Sequence, residues 1–173
     1  MAQYVVIDCE ANGPAPGLYS MISLGAVILD TTLKRTFYGE FKPINNNYIP
    51  DAVAVSGFTH EDTLKFPNPQ VTMEKFDAWL KNNVKGKPHL MSDNNGFDWM
   101  FTNYYFWKFL GRNPFGHSST NIGSLFKGME MDMFKNFKHL RKTKHDHHPI
   151  NDAKGNCEAL LAMKKMGLRI SIK

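Results

Sequence analysis

Tyr4-Val5-Val6-Ile7-Asp8-Cys9-Glu10 opens as an uninterrupted β-branched and aromatic run and ends in two acids one residue apart. Four such residues without alternation are the pattern of a strand buried on both faces, at the centre of a sheet. Outward from it, the Gly/Pro-rich stretch from Asn12 to Gly17 reads as a turn, Met21 to Leu29 as a second strand and Lys34 to Phe41 as a third, with Asp30-Thr31-Thr32 turning between them. Pro43 to Pro50, with three consecutive asparagines, reads as a loop, and a short helical turn is expected around Asp51 to Val55, ended by Gly57. Helical periodicity begins at Pro69 and lasts to Asn82 through Val71, Phe76, Trp79 and Leu80. His89 to Ser92 is a short strand, Phe97 to Leu110 an unusually aromatic helix broken at Gly111, and two shorter helices are expected near Asn121 to Lys127 and Asp132 to Leu140. A basic, histidine-rich loop precedes a last helix, read as capped by Asn151 and running to Met166. Three early strands followed by alternating helix and strand give an α/β class with a mixed sheet flanked by helices.

Length and composition set the frame for that reading. The 173 residues suit one domain spanning 1–173, with 42% hydrophobic and 21% charged residues, the balance of a globular protein. No run approaches the apolar length of a membrane span, and with the first strand starting so near Met1 no leader is expected. Cys9 and Cys157 lie in the first strand and last helix without ligand spacing, so both are expected as reduced core thiols of a cytoplasmic protein. The net charge is +5, and Lys135, Lys138, Arg141, Lys142 and Lys144 crowd the loop that contains only one acid, Asp146. Such a field suits a polyanion and the phosphate backbone of nucleic acid in particular.

The acids carry the chemistry. Asp8 and Glu10, at i and i+2 on one strand, project from the same face. Two like charges so close are costly to bury without a cation, and oxygen ligands favour a hard divalent ion. Asp98 follows a strand and opens the aromatic helix, at the carboxyl end of the sheet where α/β folds place ligands. Asp152 lies in the first turn of the last helix, five residues after His147, whose imidazole is suited to proton transfer near neutrality. His145 and His148 compete with it for that role. Read separately, each acid also fits a plain structural part, a solvated strand end or a helix-dipole contact.

Together, D-x-E on the first strand, N-x-x-F-D from Asn94 to Asp98 and H-x4-D from His147 to Asp152 resemble the DEDDh exonuclease family in order and spacing. That resemblance implies a ribonuclease-H-like fold and 3′-5′ hydrolysis of phosphodiester bonds in RNA or DNA, with release of nucleoside 5′-monophosphates. It further implies two Mg²⁺ or Mn²⁺ ions, roughly 3.5–4 Å apart as in two-metal sites, held by Asp8, Glu10, Asp98 and Asp152. The H-x4-D spacing then selects His147 as the base. Val53 to Thr59 is similar to the family segment that approaches the terminal nucleotide, with Ser56 where some members carry histidine. Backbone amides at Ala11 and Asn12 are expected to meet the 3′-OH, and Phe97 to stack on the last base. Departures include Asp93 in place of the usual histidine of the second motif, Phe58 for isoleucine, and Ala11-Asn12-Gly13 after the first-motif glutamate. A homodimer is expected by the same resemblance. The alternatives are a catalytically silent nucleic-acid-binding or polymerase-accessory module of the same fold, and an unrelated metal phosphoesterase for small substrates.

Overall fold

The computed structural model describes residues 3–172. Its five-stranded sheet has the order β3-β2-β1-β4-β5, formed by β1 (Gln3–Ala11), β2 (Met21–Ile28), β3 (Thr36–Glu40), β4 (Pro88–Ser92) and β5 (Ser119–Asn121). β1 is central. It pairs antiparallel with β2 and parallel with β4, while β3 and β5 extend the two edges. Layers on both faces explain the unbroken apolar run in β1. Val5, Ile7 and Cys9 pack on one side with Phe76 of α3 (Pro69–Asn83) and Phe101 and Phe106 of α4 (Asn95–Leu110). Val6 packs on the other, with Phe126 of α5 (Ile122–Glu130) and Ala153, Cys157 and Leu160 of α6 (Pro149–Lys165). This is the mixed α/β architecture expected from the sequence, ribonuclease-H-like in its layers.

The 2-residue alternation of β1 places Asp8 and Glu10 on the side of Val6, beneath the start of α6. Gly25 makes that approach possible. It is the register partner of Asp8 on β2, and a Cβ built on it would lie 2.5 Å from the backbone nitrogen of Ile150. The first turn of α6 therefore rests directly on the sheet beside Asp8, which brings Asp152 down to the strand. The β1–β2 register shifts between Glu10 and Ala11, a bulge of the kind that re-aims side chains at sites.

Two short helices, α1 (Pro50–Val55) and α2 (His60–Thr63), link β3 to α3, the second closed by a capping box between Thr59 and Asp62. The β2–β3 turn is organised by Asp30, whose Oδ1 accepts the N–H of Thr32 and of Leu33, both at 2.7 Å, and whose Oδ2 accepts from Arg35 Nε.

Several boundaries differ from the sequence reading. Asn151 is not the cap of the last helix, which begins two residues earlier at Pro149; its amide instead donates to Asp146 Oδ2. The helix expected over Asp132 to Leu140 is a turn followed by one 3-10 turn at Lys138–Leu140. Met131 ends α5 in the left-handed region (φ 51°), and Asp132 Oδ1 captures the N–H of Phe134, a local bond that competes with helix propagation. β5 and α2 were not among the elements expected, and Asn121, expected to open a helix, ends β5 and caps α5. Both thiols are free and buried, as expected.

Candidate active site

Four carboxylates from three elements meet at the carboxyl end of β1. Ligand oxygens of Asp8, Glu10 and Asp152 lie within 4.8 Å of one another, and so do those of Asp8, Asp93 and Asp98. Asp8 belongs to both groups. Asp98 is 2% exposed and Asp152 1%, so neither is the solvated helix-start acid that each resembled alone. The N–H of Cys9 donates to Asp98 Oδ1 at 3.0 Å, tying α4 to β1 and fixing the carboxylate's orientation. Its Oδ2, and likewise Oδ2 of Asp152, is buried without a hydrogen-bond partner. Buried polar atoms are almost always satisfied, so two orphaned carboxylate oxygens on acids that both neighbour Asp8 point to cation binding, and the oxygen donor set fits hard divalent cations.

The electrostatics agree. Burial, followed by repulsion from Asp98, Glu10, Asp152 and Asp93, raises the Asp8 carboxyl well above the usual range. Glu10 is pushed up to about 8, first by burial and then by Asp152 and Asp98. Burial raises Asp98 to about 7 against the opposing pull of the Ser92 hydroxyl, which stands nearby without meeting hydrogen-bond geometry, and of the Cys9 backbone N–H. Such a cluster holds protons until cations displace them.

The histidine loop closes over these acids. His147 adopts φ 60°, a left-handed conformation uncommon outside glycine and asparagine, retained where surrounding structure requires it. Its Nδ1 lies 3.6 Å from Glu10 Oε1, and its ring meets that of His145 edge-on with centroids 4.3 Å apart. His145 Nδ1 reaches Asp152 Oδ1 at 2.6 Å. His148 turns away to stack on Tyr38. Thus two of the three competing imidazoles, rather than one, stand against the acids.

The exonuclease model RNase_T matches residues 5–160. The chain belongs to the exonuclease family. A relative, the 3′-5′ DNA exonuclease Cap18 of Escherichia coli, is 32% identical over 94% of this chain and 92% of its own length. Among solved structures, the nuclease domain of 3′hExo, described as a DEDDh family member bound to rAMP, superposes with a TM-score of 0.78 at 18% identity, covering 99% of this chain and 96% of that one. The E. coli ExoI–ssDNA complex in its zinc-bound form gives a TM-score of 0.75 at 16% identity over 98% of this chain, which spans 42% of that structure. The family resemblance and the fold drawn from the three motifs therefore hold.

Within this exonuclease fold the expected substrate contacts are placed unequally. Phe97, half-buried beside Asp98, packs on Phe101 with centroids 4.9 Å apart. Ala11 lies at the β1 bulge next to Glu10. Asn12 is buried and committed to structure: its N–H donates to Ser20 O, its Oδ1 accepts from Ser20 N–H and its amide donates to Asn47 O. The Asn12 N–H therefore has no bond to offer a terminal hydroxyl. Ser56 sits at the end of α1 with its hydroxyl bonded to Val53 O.

Arg141 escaped the sequence reading. Its guanidinium is buried, donates to Asp93 Oδ2 at 2.7 Å and to Asn156 Oδ1, and lies 3.8 Å from Asp152 Oδ1. It also covers the Phe137 ring. One cation thus ties the histidine loop to α6 and to the turn after β4. Asp93, which stands where the family commonly has histidine, is half of that tie.

Proposed function

We propose that this exonuclease removes nucleotides one at a time from the 3′ end of a polynucleotide, using two divalent cations, Mg²⁺ or Mn²⁺, and releasing nucleoside 5′-monophosphates, as a DEDDh-type enzyme. The observation that carries this reading is the pair of orphaned, buried carboxylate oxygens of Asp98 and Asp152 on either side of Asp8. Asp8, Glu10 and Asp152 would hold one ion, and Asp8 with Asp98 the second. When bound, the ions neutralise the acids and supply Lewis acidity toward the phosphodiester. His147, over Glu10, takes the proton of the attacking water, while His145, bonded to Asp152, orients that carboxylate. Phe97 offers a face to the terminal base, and the backbone at Ala11 lies next to the ligands, where the 3′ end would rest. The DNA activity named for Cap18 supports DNA as the substrate.

The test is digestion of a 5′-labelled single-stranded DNA oligonucleotide beside its RNA counterpart. With Mg²⁺ or Mn²⁺ a ladder shortening from the 3′ end is expected, faster on DNA and abolished by EDTA. An oligonucleotide left intact with either ion would refute the reading.

A further inference from the structure

One surface has no part in the site described. Beyond the end of α5, Met131 is 92% exposed, Met133 72% and Phe134 97%, although Phe137, three residues on, is buried in the core. A tight turn displays them: Met131 is left-handed, and the Phe134 N–H is held by Asp132 Oδ1 at 2.9 Å. A run of large apolar side chains held in water marks a contact surface. The neighbouring charge identifies the partner. Lys135 and Lys138 follow Phe134 in sequence, and with Lys127 they line a groove of about 370 Å³ that Asp93 and Asn94 also line. Asp93 is also a member of the acid cluster, its carboxylate within 4.8 Å of ligand atoms of Asp8 and Asp98. The groove therefore brings three lysines together with a member of the acid cluster, and the exposed Phe134 ring adjoins one of those lysines in sequence.

We infer that this groove and the Phe134 turn bind the body of a single-stranded polynucleotide whose 3′ end lies at the acids, with Phe134 stacking on a base and Lys127, Lys135 and Lys138 meeting phosphates. Alternation of cations and a free aromatic face is what sequence-tolerant single-strand binding requires. The inference rests on the nuclease reading for the strand's orientation, and makes the enzyme's affinity depend on substrate length.

The test compares the full chain with Phe134→Ala and with the double variant Lys135→Glu/Lys138→Glu. Binding of a fluorescein-labelled 20-nucleotide oligothymidylate is followed by anisotropy in EDTA, and turnover of a trinucleotide is measured at saturation with Mg²⁺. Phe134→Ala should weaken binding of the 20-mer roughly 5-fold or more. The double variant should lower the slope of log affinity against log salt by about 1.4, or about 0.7 for each phosphate left without its lysine. Trinucleotide turnover should stay within 2-fold. Unchanged 20-mer binding in both variants would overturn the inference, as would an equal loss on the trinucleotide, or a wild-type homodimer that Phe134→Ala converts to monomers in sedimentation. A wild type that binds through Phe134 but shortens no strand would refute the nuclease reading alone; one that shortens strands with no dependence on Phe134 would refute this inference alone.

Discussion

Asp98 and Asp152 each have one buried oxygen without a partner, and this makes their removal informative. Asp98→Asn keeps the acceptor for the Cys9 N–H while removing a charge whose formation burial already opposes. In EDTA the variant should melt about 2–4 °C higher than wild type, the shift expected for ~1 kcal/mol in a chain of this size, and it should lose nuclease activity; calorimetry beside the digestion assay checks both. The two imidazoles over the acids can be separated in the same way. His147→Ala should lower turnover by roughly 10²–10⁴, the scale of a general-base contribution, whereas His145→Ala, losing an orienting bond, should lower it less. Single-turnover rates at saturating substrate decide the assignment, and the reverse ranking would make His145 the base. The acids were legible because each follows an apolar run or opens a helix pattern. Arg141 was not: its partners Asp93 and Asn156 stand 48 and 15 residues away, and nothing local distinguishes it from the lysines around it. The histidine choice was only half legible, since spacing selects His147 but not the contact between His145 and Asp152.

Among the elements, the contact of α6 with the sheet positions the site. Gly25→Ala would drive a methyl group into the backbone at Ile150, and overpacking of this kind costs about 1–3 kcal/mol. Because the displaced turn carries Asp152, urea denaturation should show that loss together with reduced turnover; a variant as stable and active as wild type would show that the helix can move aside freely. Nothing in the sequence advertised this close approach, since a glycine inside a strand pattern is compatible with a bulge as well as with a packed backbone. The long elements were legible for a physical reason: β1, α4 and α6 each bury a continuous set of side chains, so the pattern persists over many residues. β5 is only Ser119–Asn121, three polar residues paired because β4 offers an edge, and no periodicity exists over three residues. The segment 132–137 misled because its aromatic spacing is helical, while Asp132 stops the helix locally.

At the scale of the whole molecule, the site sets how stability depends on pH. Asp8, Glu10 and Asp98 have raised values in the fold, so between the ordinary carboxylate range and about 8 the folded chain holds more protons than the unfolded one. Stability without metal must then fall as pH rises through that window. A divalent ion that binds only the folded chain should reverse the trend, stabilising more at pH 8 than at pH 6, since fewer protons compete. Thermal melts in EDTA and in Mg²⁺ across pH 5 to 8 check the sign, and a metal-free chain that gains stability with rising pH would contradict it. The mixed sheet, its two layers and the family were all within reach of three motifs, because the sheet must exist for those motifs to meet. The most direct test is a crystal soaked with Mn²⁺ and a nucleoside monophosphate, examined by anomalous scattering. Two peaks are expected, both touching Asp8, one shared with Glu10 and Asp152 and the other beside Asp98; the absence of any peak among these four carboxylates would contradict the assignment.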